Sequence, residues 1–307
     1  VLQTDGAGTL SFADSSGGGG NNTAIKQFDY YKLTTTSAVI DEFDIGEFRG
    51  AVYDIGIEET TNNFVGHVKV SVVHDSTTPF ISVYNLNEDS TRIVDFSAAI
   101  SGTKVQLSGV TNVSSHTNLR IYRIALGDHH ETVSNTNSKI IATSTAITSS
   151  ATTLDSFTKT DIQGAKYVIL IKDSTQTEYQ ISEVSLTHDG TTVYFNDYAK
   201  VSTRSDYAVT YSAAISGTTL TLSGASTGGT TATAILYRQD LGSKTKLGEV
   251  DNILYGKLGD VDSTVKSIDE FDVFKYKSAR YFINIGHAGD TEYQNSEITL
   301  TVNSAGS

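Results

Sequence analysis

The sequence predicts an all-β protein of tandem β-sandwich modules, immunoglobulin-like or jelly-roll-like, each about 114 residues long. Three observations carry this. One phrase built on Asp, Phe and Tyr recurs at a fixed spacing. Short runs alternate apolar and polar residues with a period of two. Gly, Ser, Asn and Asp punctuate those runs, and the one proline is Pro79.

The phrase first reads Ile40-Asp41-Glu42-Phe43-Asp44, then Gly50-Ala51-Val52-Tyr53-Asp54-Ile55. It returns as Leu154-Asp155-Ser156-Phe157 with Tyr167 and Ile169, and again as Ile268-Asp269-Glu270-Phe271 with Tyr281 and Ile283. The step from Tyr53 to Tyr167 to Tyr281 is a constant 114 residues. Phe43, Tyr53, Ile55, Phe157, Tyr167, Ile169, Phe271, Tyr281 and Ile283 are therefore expected to form the repeated core. The acids around each Phe are expected to face water.

In chain order, residues 1–16 hold Asp5-Gly6 and the alternators Leu10 and Phe12, which reads as a hairpin. Gly17 to Asn22 is a flexible break. Module 1 spans 17–128, with strands expected near Ile25–Tyr31, Ala51–Ile57, Val68–Val72, Phe80–Leu86, Thr91–Phe96, Lys104–Leu107 and Leu119–Ile124. Module 2 spans 129–243 and replays it: Ser212-Ala213-Ala214-Ile215-Ser216-Gly217 matches residues 97–102 letter for letter, displaced by 115. A partial third module fills 244–307. Turn signals every 8–12 residues or so suit sandwiches of roughly seven to nine strands.

The two ends draw notice. Thr9-Leu10-Ser11-Phe12 falls in the repeat frame of the closing strand Ala234–Ser243, as if it ended an earlier unit. The third unit stops near Ser307 with half its strands. Thr9, Leu10, Phe12, Ile298 and Leu300 are therefore candidate inter-subunit strand residues, with residues 1–16 of one chain beside Ser296–Val302 of another. The absence of an initiator Met suggests a processed chain or a window cut from a longer one.

Composition narrows the partners. A net charge of −13 repels phosphate backbones, which argues against nucleic acid. No apolar run is long enough for a membrane-spanning helix. Without Cys there is no disulfide framework or thiolate metal site.

Catalytic motifs are weak. Gly224-Ala225-Ser226-Thr227-Gly228 fits G-x-S-x-G but lies between strands, without the strand–turn–helix setting that motif needs. Ser156-Phe157-Thr158-Lys159 fits S-x-x-K with no companion motif. In His129-His130-Glu131, neighbouring side chains on a strand point to opposite faces. His74-Asp75 and His188-Asp189 recur as turn devices. No cofactor is expected. Ca²⁺ is the one candidate metal, on Asp41, Glu42 and Asp44, on Asp269, Glu270 and Asp272, or on Asp260 and Asp262. Tyr30, Tyr31, Tyr179, Tyr194, Tyr198 and Tyr293 offer rings that stack on sugars.

The opening phrase Thr4-Asp5-Gly6-Ala7-Gly8-Thr9-Leu10-Ser11-Phe12, with the Thr/Ser/Gly-rich, Cys-free β repeats, resembles tail-fibre, appendage and decoration proteins of marine bacteriophages. The resemblance implies a non-enzymatic virion structural protein that self-associates, contacts other virion proteins and presents host-binding loops. Two other classes fit the same residues. One is a bacterial extracellular filament or adhesin subunit that polymerises by strand complementation. The other is a carbohydrate-binding module with a glycan receptor.

Overall fold

The computed structural model describes residues 24–302 except 60, 62–63, 89–91, 128–133, 136–137, 143–145, 174–177, 205–208, 228–230, 242–247, 251–252, 256–263, 265–266, 272–277 and 287–292. It also describes strands at 2–4 and 10–12. The described residues contain strands, turns and loops but no helix, so the all-β prediction holds.

β1 (Leu2–Thr4) and β2 (Leu10–Phe12) form the expected N-terminal antiparallel pair. Thr9 lies outside the described residues, as do the side chains of Leu10 and Phe12. Eight strands follow: β3 (Ile25–Leu33), β4 (Ala38–Asp44), β5 (Gly50–Glu59), β6 (Val65–His74), β7 (Pro79–Glu88), β8 (Val94–Ser101), β9 (Lys104–Thr111) and β10 (Thr117–Leu126). One sheet runs β3-β10-β5-β6-β7 and the other β4-β9-β8. Tyr53, Ile55, Val68, Val70 and Ile121 of the first sheet share a core with Phe43, Val105 and Leu107 of the second.

The second sandwich uses β11 (Ser134–Asn135), β12 (Ser138–Ala142), β13 (Thr152–Thr158), β14 (Gly164–Asp173), β15 (Glu178–His188), β16 (Val193–Ser202), β17 (Val209–Ser216), β18 (Thr219–Ser226) and β19 (Ala232–Leu241). Its sheets run β11-β12-β19-β14-β15-β16 and β13-β18-β17. Tyr167, Ile169, Val184, Leu220 and Leu222 fill the core between them. The β8–β9 and β17–β18 hairpins both turn at a glycine, Gly102 and Gly217, with φ of 60° and 59°. A side chain there is strained whatever the room around it.

The third copy supplies two small hairpins, β20 (Gly248–Val250) with β21 (Ile253–Tyr255) and β22 (Ser278–Gly286) with β23 (Tyr293–Thr301). Tyr53 lies opposite Val70, Tyr167 opposite Val184 and Tyr281 opposite Ile298, one register in all three copies. Phe43, Tyr53, Ile55, Phe157, Tyr167 and Ile169 are buried as expected. Phe271, Tyr281 and Ile283 are only half-buried. The physical reason is that no second sheet covers the third hairpin among the described residues.

The modules are not beads on a string. Every residue of β6 is buried, on both faces of the strand. Val68, Val70 and Val72 face the sandwich core, while the strand's other side packs against the neighbouring copies. The first core runs on into Val168, Leu170, Ile181 and Tyr237 of the second sandwich. β6, β15 and β23, the same strand in three copies, pack against one another about a common centre.

Candidate functional site

The most concentrated chemistry of the chain lies at that centre. Strand parity puts Asp54, His67 and Lys69 on the back of the first large sheet, opposite Tyr53, Val68 and Val70. It puts Lys166 and Glu183 on the back of the second, and Arg280 and Glu297 on the back of the third hairpin. Lys69 Nζ donates to both Glu183 oxygens at 2.5 Å. Lys166 Nζ lies 2.8 Å from Glu183 and 2.9 Å from Glu297. Arg280 pairs with Asp54 and reaches Glu297 at 3.9 Å. The Tyr84 hydroxyl donates to Glu183, and the Tyr198 hydroxyl donates to Glu297 at 2.9 Å. Lys69, Lys166 and Arg280 thus balance Asp54, Glu183 and Glu297 inside one seam.

Burial alone raises the Glu183 carboxyl, but Lys69, Lys166 and Arg280 outweigh it and hold the group well below the usual carboxylate range. Glu297 is likewise held low by the same three cations against burial. His67 moves the other way for a base. Burial drops it to about 4, against the pull of Asp54, so the imidazole stays neutral in the seam. Desolvating charges is expensive, so such a network adds less to stability than to the choice of which faces meet.

Amides complete the seam. Asn295 Nδ2 donates to the Leu186 carbonyl at 2.5 Å, and Asn284 Nδ2 donates to Thr187 Oγ1 at 3.1 Å. Gly164 permits this close approach: a Cβ there meets Asn295 Nδ2 at 2.7 Å. Lys69 and Ser71 of β6 and Gln180, Ser182 and Glu183 of β15 are all buried.

A second polar device sits inside each sandwich. Tyr53 donates to Asp41 at 3.1 Å, and Arg123 Nη1 donates to the same oxygen at 2.7 Å. In the second sandwich Tyr167 donates to Asp155 at 3.0 Å and Arg238 Nη1 at 2.7 Å. Asp41 and Asp155 are buried, which corrects their reading as surface acids. A register shift between Val39 and Asp41, repeated between Thr153 and Asp155, turns each carboxylate inward beside its Phe. In the third copy Tyr281 donates to Asp269 at 3.0 Å, with no cation beside them among the described residues.

The other candidates resolve into local structure. Asp41 also pairs with Lys26, while Asp44 binds the Gly46 amide at 2.7 Å and pairs with Lys104. Glu42 accepts from Gln106 at 3.4 Å, so these acids are held apart by separate partners. Glu270 is exposed, and Asp260, Asp262 and Asp272 lie outside the described residues, as do His129-His130-Glu131. His74 bonds the Phe48 carbonyl at 2.7 Å and accepts from Ser76 N at 3.0 Å; His188 does the same with Ile162 and Gly190. Asp75 and Asp189 cap the turn amides that follow. Gly224 to Ser226 continue strand β18, and Lys159 of the S-x-x-K match donates to the Gly190 carbonyl at 2.5 Å.

One open cleft of about 770 Å³ runs between β16 and β23 and is floored by Lys69 and Glu297. Tyr194, Phe195, Tyr198, Asn196, Phe282 and Asn295 are among its walls. Tyr194 is exposed, Tyr198 half-buried and Tyr179 buried, so the tyrosines of the sequence reading do not gather on one surface. Phe282, Asn196 and Asn295 were not singled out from the sequence. Phe282 and Asn295 stand at the repeat positions of Asp54 and His67, whereas Asn196 matches Ser82, which is not a seam residue.

No family model, curated protein or solved structure matches the chain.

Proposed function

We propose that the chain is a non-enzymatic structural component of a virus particle, as a tail fibre, appendage or capsid decoration, which assembles through its β-modules and presents loops for host binding. The observation that carries this reading is where the buried charge lies. Lys69, Lys166, Glu183 and Glu297 join three copies of one strand and its neighbour to each other, and of these Lys69 and Glu297 also floor the cleft. That arrangement suits a load-bearing scaffold. The resemblance of Thr4–Phe12 to phage fibre proteins supplies the viral setting. Quantitative mass spectrometry of purified particles tests it: the chain is expected at a fixed stoichiometry per particle, and its absence overturns the reading.

The cleft between β16 and β23 favours a second reading, glycan binding. Aromatic faces beside amides and a carboxylate are the chemistry that stacks on sugar rings and bonds their hydroxyls. A glycan array probed with the purified chain tests this second reading: a saturable oligosaccharide hit supports it, and no hit overturns it.

A further inference from the structure

Four sheets make the two complete sandwiches, so eight strands lie at an edge. An edge strand leaves a row of N–H and C=O groups unpaired, and proteins guard such rows against other chains. The pairing of β3, β4, β7, β13 and β16 with their neighbours is broken in each case by a register shift. In β3, β7 and β16 the shift sits at a left-handed residue, Lys32, Asn85 or Ala199. Bulges of this kind twist an edge away from an approaching strand. β11 has only two residues. Of the eight, β8 and β17 alone are both long and straight.

Charge separates these two. β8 carries Asp95 on its outward face, and Glu42, Asp44 and Lys104 face outward from the same sheet. β17 has no charged residue and no proline. Every outward-facing residue of β13, β18 and β17 is Thr, Ser or Ala. On a chain of net charge −13, this is a face where two copies can meet without charge repulsion.

The two-residue turn Gly217-Thr218 settles which backbone groups of β17 are spent on β18. Ser216, Ala214, Ser212 and Thr210 fall in its hydrogen-bonded pairs. Tyr211, Ala213 and Ile215 therefore aim their N–H and C=O groups at the edge, where no strand meets them among the described residues. Val209, of the same parity, donates its edge N–H to Gln180 Oε1 at 3.4 Å. The Tyr211 hydroxyl pairs with Ser182 Oγ at 2.8 Å and accepts from Gln180 Nε2 at 3.3 Å, which holds the edge in place. Ala213 and Ile215 are half-buried against the second core.

We propose that β17 is a dimerisation edge: it pairs antiparallel with β17 of a second copy of this chain, about a two-fold axis at Ala213. Ala213 then opposes Ala213 of the second copy, and Tyr211 opposes Ile215. All three open N–H and C=O groups of each copy are taken. On the outer face Ser212 lies opposite Ala214 and Thr210 opposite Ser216, so no like charges face each other. On the inner face each copy covers the Ala213 and Ile215 of the other. Two three-stranded sheets become one of six, and the symmetry closes the pair. The proposal deepens the assembly reading and rests on it for its biological setting. The dimer is measured on the purified chain, whereas that reading stands or falls on particle composition, so the two fail separately.

Sedimentation equilibrium of the full chain over a concentration series tests it, with amide exchange read by nuclear magnetic resonance. A reversible monomer–dimer equilibrium is expected. Exchange of the Tyr211, Ala213 and Ile215 amides should slow as concentration rises. The Ser212 and Ala214 amides, bonded to β18 in both states, should not respond. A213P removes the donor at the axis from an edge that tolerates proline, and is expected to be monomeric. A214E is expected to dimerise about tenfold more weakly. An equimolar mixture of A214E and S212K sets the new carboxylate opposite the new ammonium and should dimerise more tightly than either variant alone. Both of these positions are exposed, so they keep the test independent of whether A213P folds. A99E, at the equivalent place on β8, should leave the dimer unchanged. A chain that stays monomeric throughout overturns the proposal. So does a dimer indifferent to A214E, or one that A99E breaks.

Discussion

Lys69 and Glu183 stand at the same place in two successive copies of one strand, and their charged ends meet 2.5 Å apart, both buried. Residues at equivalent positions touch only when the copies gather about a common centre. At such a point like charges repel, so the chain carries Lys69, Glu183 and Glu297 there in place of three identical side chains.

The first prediction concerns that contact. Glu183→Gln leaves Lys69 and Lys166 short of a carboxylate in a dry seam and is expected to cost about 3 kcal/mol of unfolding free energy. Lys69→Glu should cost more, because three glutamates then share one site. Combining Lys69→Glu with Glu183→Lys is expected to return at least half of the loss, read by urea denaturation of all three variants.

Acid sensitivity should begin with His67. Its folded-state value near 4 lies below the ordinary 6.5, so the unfolded chain binds the extra proton. The stability it contributes is complete above pH 6.5 and lost as pH falls toward 4. Its size is on the order of 3 kcal/mol. Glu183 and Glu297 are also held below their ordinary value and add a further loss below about pH 4.5. His67→Asn, which copies the residue at position 295, is expected to flatten the stability profile between pH 6.5 and 4.5 while leaving the steeper fall below it.

Three equivalent isoleucines offer an internal comparison. Ile55 and Ile169 are 0% exposed, whereas Ile283 is half-buried on the uncovered hairpin. Ile55→Ala and Ile169→Ala are expected to cost about 2–5 kcal/mol each. Ile283→Ala should cost less than about 1.5 kcal/mol, since water already reaches the site. Equal losses in denaturant titrations would mean that the third copy is covered in solution.

Removing Arg238 should be felt throughout the second sandwich. Arg238→Met leaves the buried Asp155 with Tyr167 as its remaining donor of the pair described above. A loss of about 3–5 kcal/mol is expected. The double variant with Asp155→Asn should recover part of it, by thermal unfolding followed in the near ultraviolet.

If the cleft takes sugars, Tyr194→Ala should weaken an oligosaccharide hit at least tenfold while leaving the unfolding midpoint within error, because this ring is 54% exposed. Titration calorimetry with the array hit reads both binding and stoichiometry.

Much of the architecture is legible in the alternation of Val68, Val70 and Val72 and in the repeat that fixes Tyr53, Tyr167 and Tyr281. The His74-Asp75 and His188-Asp189 turns are legible too, since their bonds are local. The seam is not. Alternation separates the two faces of a strand but cannot tell water from a second layer of protein, so Lys69 and Glu183 look like ordinary surface charges. Asp41 and Asp155 mislead for another reason: a one-residue register shift turns them inward, and no residue type announces it. The recurrence of Asp, Tyr and Arg at 41, 53 and 123 and at 155, 167 and 238 is the clue that reads through the shift.

The meeting of equivalent positions in the seam bears on how such a chain arises. An exact triplication of either complete unit would carry three lysines or three glutamates to one buried point. The copies therefore had to diverge at this strand before the present seam could close. The first copy now differs in charge from the other two, and exchanging it with either of them rewrites the charge pattern between the strands.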